Sequence, residues 1–316
     1  MKNDGAISDF AETRVQKKTS SYIPSYFVIC NLPIRSTKKE VKEYRRKYNR
    51  FQLKLVGAND IPGGKIARDM LSFFTTACVQ HKNVNSSGQV SIHFSSMKRF
   101  MQSFGLENST RFLVVEELLD KFAGCNIFFE MNTKKEFNKG ELPIKKINDE
   151  VEIPQQGFLQ LKSVVNVPFF YKYTSAKILG GAYKNGQSIG VNITLSAPFA
   201  EMAQKHPVPI DFNGYRSINS ALGKDIYSWL VYRNNGPIPE WGVKISRESL
   251  IEQFSPEEQR DIESQNYQRI IEEINDIKFH YYPELNIRFI ERGAQKGIIL
   301  YKSDLVIKKT TYGMYH

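Results

Sequence analysis

The sequence predicts an α+β protein built from two tandem copies of one small unit behind a polar N-terminal arm. One order of elements occurs twice: a long amphipathic helix, a short strand, a helix, a turn, a second helix and then β-rich sequence, first over 63–173 and again over 188–307. The chain also carries 44 Lys+Arg against 33 Asp+Glu, a formal charge of +11, so a polyanionic partner is expected. A helix-turn-helix followed by a β-hairpin is the order of a winged helix, a unit that lies on nucleic acid. The expected divisions are a flexible arm with a basic segment over 1–50, a first winged-helix domain over 51–173, and a second over 174–316 that ends in a short tail.

The 316 residues exceed one typical core, and 41% hydrophobic content is enough to fill two. No apolar run approaches the roughly 18 residues of a spanning helix, and the first residues lack the order of a signal peptide; a cytoplasmic protein is therefore expected. Three cysteines, Cys30, Cys78 and Cys125, lie far apart with no paired spacing, which fits reduced core thiols better than a disulfide framework.

Residues 1–25 are polar and aperiodic. The segment 38–50 then gathers seven basic residues against two acidic, with aromatics between them. It reads either as a phosphate-contacting stretch, with Lys42, Arg45, Arg46, Lys47 and Arg50 as the contacts, or as a solvated helix face. Residues 51–56 alternate like a strand. Ile66, Met70, Phe73, Phe74, Ala77 and Cys78 put an apolar stripe on a helix over 65–80. A strand over 90–94, a helix capped by Ser95 or Ser96 and stopped by Gly105, and a helix over 110–122 follow. Residues 127–129 and 158–165 read as wing strands, separated by a long charged segment over 132–156. In the second copy the strand at 188–195 leads into a short helix, a strand at 207–211 and a helix over 215–233. Ser246 caps the next helix, and Tyr267, Ile270, Ile271, Ile274 and Ile277 stripe a longer one that ends before Pro283. Residues 285–290 and 298–301 form a hairpin.

Several stretches carry a family likeness: Leu32-Pro33-Ile34-Arg35, 46–55, Ile61-Pro62-Gly63-Gly64-Lys65-Ile66-Ala67-Arg68, 195–211, Asp225-Ile226-Tyr227-Ser228-Trp229-Leu230-Val231-Tyr232-Arg233, and Tyr282-Pro283 before the last hairpin. In this order and spacing they resemble the plasmid-encoded RepA family of replication initiators. The resemblance implies a protein that binds double-stranded origin DNA, strains or opens the duplex, and recruits a host replication initiator or helicase, with a homodimer as a possible partner state. A winged-helix transcriptional regulator or partition protein is the alternative. The first unit departs from the family pattern at the turn 106–111, which is not Gly-rich, and at its enlarged wing. That unit is accordingly expected to couple protomers or partners, and the second to read DNA.

The candidate base readers follow from the helical wheel of the last long helix. With its Ile stripe inward, Gln265, Gln268 and Arg269 point outward near the N-terminal half, while Glu272, Glu273 and Asp276 lie further along the same face, where they would repel phosphate; the alternative is a polar solvent face. Gln can pair bidentately with adenine and Arg with guanine, while Arg288, Arg292 and Lys296 near the hairpin turn suit phosphate or minor-groove contact. Enzyme motifs fail in comparison. Pro62-Gly63-Gly64-Lys65 is no P-loop, because Asn59 and Ile66 stand where Gly and Ser or Thr are needed. None of the five His form the closely spaced pair that a metal-assisted Tyr nuclease requires, and Cys78 with His81 has no second ligand pair for zinc. The chain is thus expected to be no enzyme and to need no cofactor or metal.

Overall fold

The computed structural model describes residues 19–35, 42–48, 51–58, 60–80, 84–106, 111–138, 156–175, 190–255, 263–291, 293 and 296–307. The fold is α+β, its helices packed around small sheets in which every pairing among the described residues is antiparallel.

The chain enters the fold earlier than its composition indicates. Strand β1 (Ser20–Pro24) pairs with β9 (Pro207–Asp211), Ser20 opposite Asp211. Ser21 is buried with its Oγ 2.8 Å from Ser72 Oγ and 2.7 Å from Thr76 Oγ1, both on α2 (Gly64–Val79). Those hydroxyl bonds, with buried Ile23 beside them, let a polar stretch without apolar period join the core. The expected arm therefore ends before residue 20, and residues 1–18 lie outside the described residues. Helix α1 (Ser25–Ile29) then buries Phe27 and Val28.

The first unit has α2 at its centre, with the predicted stripe of Ile66, Met70, Phe74 and Cys78 buried. A sheet of order β2-β3-β5-β6 is built from β2 (Glu43–Tyr48), β3 (Phe51–Gly57), β5 (Cys125–Asn138) and β6 (Gln156–Pro168). Strands β5 and β6 run longer than the sequence indicates, because their register carries pairing from Asn126↔Pro168 out to Asn138↔Gln156. Part of the charged separator is thus strand, and 139–155 lies outside the described residues. Helix α3 (Met97–Ser103) starts at Ser96, whose Oγ accepts from Arg99 N at 3.3 Å. Helix α4 (Phe112–Ala123) closes the core through Phe122, whose ring meets Phe169 edge-on at 5.0 Å.

A second sheet crosses the expected boundary. Strand β8 (Val191–Leu195), expected to open the second unit, lies between β4 (Val90–Phe94) and β7 (Phe170–Ser175) in the order β4-β8-β7. Its inward residues Val191, Ile193 and Leu195 are all buried, so its apolar alternation is satisfied by the first unit. A division at 173/174 would cut this sheet.

Helix α5 (Ala197–Lys205) leads to β9. The single helix expected over 215–233 is two: α6 (Phe212–Ser217) and α7 (Ala221–Asn235). The break falls at Ser220, which caps α7 by accepting from Gly223 N at 2.7 Å. Then follow β10 (Val243–Ser246), α8 (Arg247–Phe254), α9 (Glu263–Asp276), β11 (Ile287–Ile290) and β12 (Gly297–Leu300), with sheet order β10-β12-β11. The end of α9 widens over Ile277–Tyr281, closed by Tyr282 N donating to Ile277 O at 2.7 Å. Gly297 is required at the hairpin: a Cβ there would fall 2.2 Å from Ile245 O.

Candidate nucleic-acid interface

On α9, Ile270, Ile274 and Ile277 are buried, which leaves Gln265, Gln268 and Arg269 exposed as the wheel predicts. Gln268 Nε2 donates to Glu272 Oε1 at 3.3 Å, so this amide is oriented along the helix face. The hairpin meets the same end of α9. Arg247 N donates to Lys296 O at 2.9 Å, while the Arg247 guanidinium stands 5.7 Å over the Tyr267 ring. Arg247 thus links the base of the hairpin to the N-terminal half of α9, and it adds a cation that the helical wheel alone does not show. At the other end Lys278 Nζ donates to Ile287 O at 3.5 Å. Arg288 and Lys296 are exposed, and Arg292 lies outside the described residues. Together these groups make a face with hydrogen-bonding side chains on a helix and cations on an adjoining hairpin, the chemistry needed to meet base edges and phosphates.

Among its described residues, 42–48, the basic segment is neither a helix nor uniformly exposed. Residues 43–48 form β2, so side chains alternate: Lys42, Arg45 and Lys47 are exposed, and Arg46 faces inward. Arg46 is 5% exposed and gives its guanidinium to Glu252 O at 2.7 Å and Ser255 O at 2.5 Å. It cannot reach a phosphate in this fold. Its role is instead to satisfy carbonyls that α8 leaves unpaired at its C-terminus, and so to bind the first sheet to the helix that precedes α9. On the outer face Glu43 accepts from Arg45 Nε and stands 3.0 Å from Lys54 Nζ; these hydrogen bonds hold its carboxyl below the usual carboxylate range. Arg50 lies outside the described residues, as do 36–41.

Sequence reasoning passes over a cluster of four buried charges. Consecutive residues on α2 meet consecutive residues on α7: Arg68 pairs with Asp225 through bonds of 2.6 and 2.5 Å, and Lys224 Nζ stands 2.7 Å from Asp69 Oδ1. All four are buried. Arg68 also donates to the carbonyls of Leu32 (2.7 Å), Pro33 (2.9 Å) and Gly64 (2.9 Å), and Lys224 to that of Tyr215. Burial pulls the Lys224 ammonium down to about 8 and raises both carboxyls, so each of these three groups is pushed toward its neutral form. The cost of desolvating such a network offsets much of its attraction, so breaking one partner costs more than the intact pairs add to net stability. In the sequence the two charged pairs are 155 residues or more apart, and no local pattern shows that they meet.

The thiols of Cys30, Cys78 and Cys125 are buried and pushed up to about 12 by desolvation, which leaves them inert near neutral pH. Among the described residues no His, Cys, Asp and Glu cluster is arranged to hold a metal, and no helix is long and apolar enough to cross a membrane.

No family model matches the chain, and no curated protein matches it. Among solved structures, a crystal structure of RctB domains 2-3 shares 10% identity over 86% of this chain and 94% of that one, with a TM-score of 0.46. A selenomethionine derivative of domains 2 and 3 of RctB shares 11% over 87% and 96%, with a TM-score of 0.48. At that level of likeness they assign neither family nor activity.

Proposed function

We propose that this chain is a plasmid replication initiator, a cytoplasmic protein that binds double-stranded origin DNA sequence-specifically and works by binding alone. The observation that carries the proposal is the run α7-β10-α8-α9-β11-β12 with sheet order β10-β12-β11, read as a winged helix, with Gln265, Gln268 and Arg269 exposed on α9 and Arg288 and Lys296 on the hairpin beside it. The net charge of +11 supports a polyanionic partner, and the sequence resemblance to the RepA initiators supports the choice of an origin. In this reading α9 enters the major groove and the hairpin grips the backbone. The first unit couples protomers into a dimer or engages a host initiator or helicase. Binding energy gathered over repeated sites strains the duplex, and no bond is broken by this chain.

A vector whose only replication gene is this one, with its flanking DNA, tests the proposal. Autonomous maintenance in a bacterial host supports an initiator. Failure to replicate, with repression of a promoter in the flanking DNA, would make the chain a regulator instead. Metal-dependent nicking of supercoiled DNA by the purified protein would overturn the binding-only mechanism.

A further inference from the structure

Away from the α9 face, the two units meet around a half-open recess of about 870 Å³. It is floored by apolar groups from both sides, among them Tyr26, Val208 and Ile238, and it is edged by Lys205, His206 and Arg233. Among the described residues, no Asp or Glu lines it. Arg233 is held in place, its guanidinium 5.7 Å over the ring of buried Trp229.

The loop that bounds this recess, 236–242, carries Trp241. That indole is 81% exposed, more than any other large hydrophobic side chain among the described residues. Its exposure is imposed by the backbone. Pro237 and Pro239 stiffen the loop, Gly242 N donates to Pro239 O at 2.9 Å, and Gly242 takes φ +80° with Ile299 packed so close that a Cβ would lie 2.6 Å away. A rigidly presented Trp beside an apolar recess with a cationic edge has the composition of an interface centre, where Trp, Tyr and Arg supply most of the binding energy.

We propose that the recess and Trp241 form a docking site for an acidic peptide segment of a partner protein, one that carries an apolar or aromatic anchor. The anchor fills the recess, Trp241 covers it, and flanking carboxylates meet Arg233 and Lys205. Charge complementarity selects this occupant, since Lys205, His206 and Arg233 edge the recess and, among the described residues, no Asp or Glu lines it, the nearest acid in the loop being exposed Glu240 beside Trp241. The apolar floor also suits a side chain better than a sugar-phosphate chain. Leu300 of β12 lines the recess, but the site uses none of the α9 and hairpin side chains assigned to DNA and stands whether or not those read it.

The test uses the full chain and three fluorescein-labelled probes: a synthetic peptide with Asp and Glu around a Leu-Phe pair, its twin with Lys in place of the acids, and an oligothymidylate of equal length. Anisotropy should show the acidic peptide binding at least about tenfold more tightly than its Lys twin. Binding of the unlabelled acidic peptide should blue-shift tryptophan emission, a change assignable to Trp241 because the chain has two Trp and Trp229 is already buried. Trp241→Ala and Lys205→Glu should each weaken that binding about tenfold, and both changes sit on exposed positions that leave the core intact. Arg233→Glu should abolish it; should that variant misfold, the two surface variants carry the test. Equal binding of both peptides, no binding of the acidic one, or unchanged affinity in Trp241→Ala and Lys205→Glu overturns the proposal. So does oligothymidylate binding that these variants abolish while peptide binding is absent, which would make the recess a nucleic-acid groove.

Discussion

Arg46 and its neighbours show how one residue step changes a role. In a run of seven basic residues every side chain has the same claim on phosphate, yet the two-residue period of β2 sends Arg45 and Lys47 to solvent and Arg46 to the end of α8. The buried pairs between α2 and α7 obey the same logic of partners. Removing Lys224 leaves Asp69 charged or protonated in a place built for an ion pair. Lys224→Met should therefore lose about 3–5 kcal/mol of unfolding free energy, while Lys224→Met with Asp69→Leu should recover most of that loss. Urea denaturation of the two singles and the double measures this, and a double mutant as unstable as the sum of the singles would show that the pair is not the unit. The thiols give a second check at this scale. With their pKa values pushed up to about 12 by burial, Cys30, Cys78 and Cys125 should react with a disulfide reagent only at the rate of unfolding. Reaction of any of them within seconds in native buffer would contradict the packing described.

Among the elements, β2 is the one whose function divides by face. Arg45→Ala with Lys47→Ala should reduce the magnitude of the DNA-binding salt slope by roughly 0.9 for each phosphate no longer neutralised, with stability unchanged. Because Glu43 already bonds Arg45, the larger share is expected from Lys47. Arg46→Met should do the reverse: the salt slope stays as it was, and stability falls as the carbonyls of Glu252 and Ser255 lose their donor. A slope that drops with Arg46→Met would place this guanidinium on DNA and contradict the burial.

For the whole molecule, sequence periodicity finds most of the elements and misses most of their partners. The stripes of α2 and α9, the Ser246 cap, a cap at Ser95 or Ser96 and the last hairpin are local signals, and each is legible from residues within a turn or two; the fold selects Ser96. The exposed Gln265, Gln268 and Arg269 follow from the same wheel, and Arg288 and Lys296 from their place near the hairpin turn. Pairing of β1 with β9, and of β8 with β4, joins strands about a hundred residues or more apart, and no local pattern encodes it. Polar stretches mislead for the same reason: Ser21 reads as part of an arm because the Ser72 and Thr76 hydroxyls that accommodate it lie on a distant helix. The buried Arg68–Asp225 and Lys224–Asp69 pairs then join the units at α2 and α7, so α9, the last hairpin and the first sheet belong to one packed body.

Whether α9 reads base sequence is the question on which the proposed function turns, and competition binding tests it most directly. The wild type and Arg269→Ala are each titrated against duplex from the flanking DNA of the gene and against random duplex at one salt concentration. The wild type should prefer its own sites. Arg269→Ala should lose about 1–3 kcal/mol at a single base pair and tolerate substitution there, with affinity for random duplex little changed. Equal losses on both duplexes, or a wild type without preference, would contradict base reading by α9.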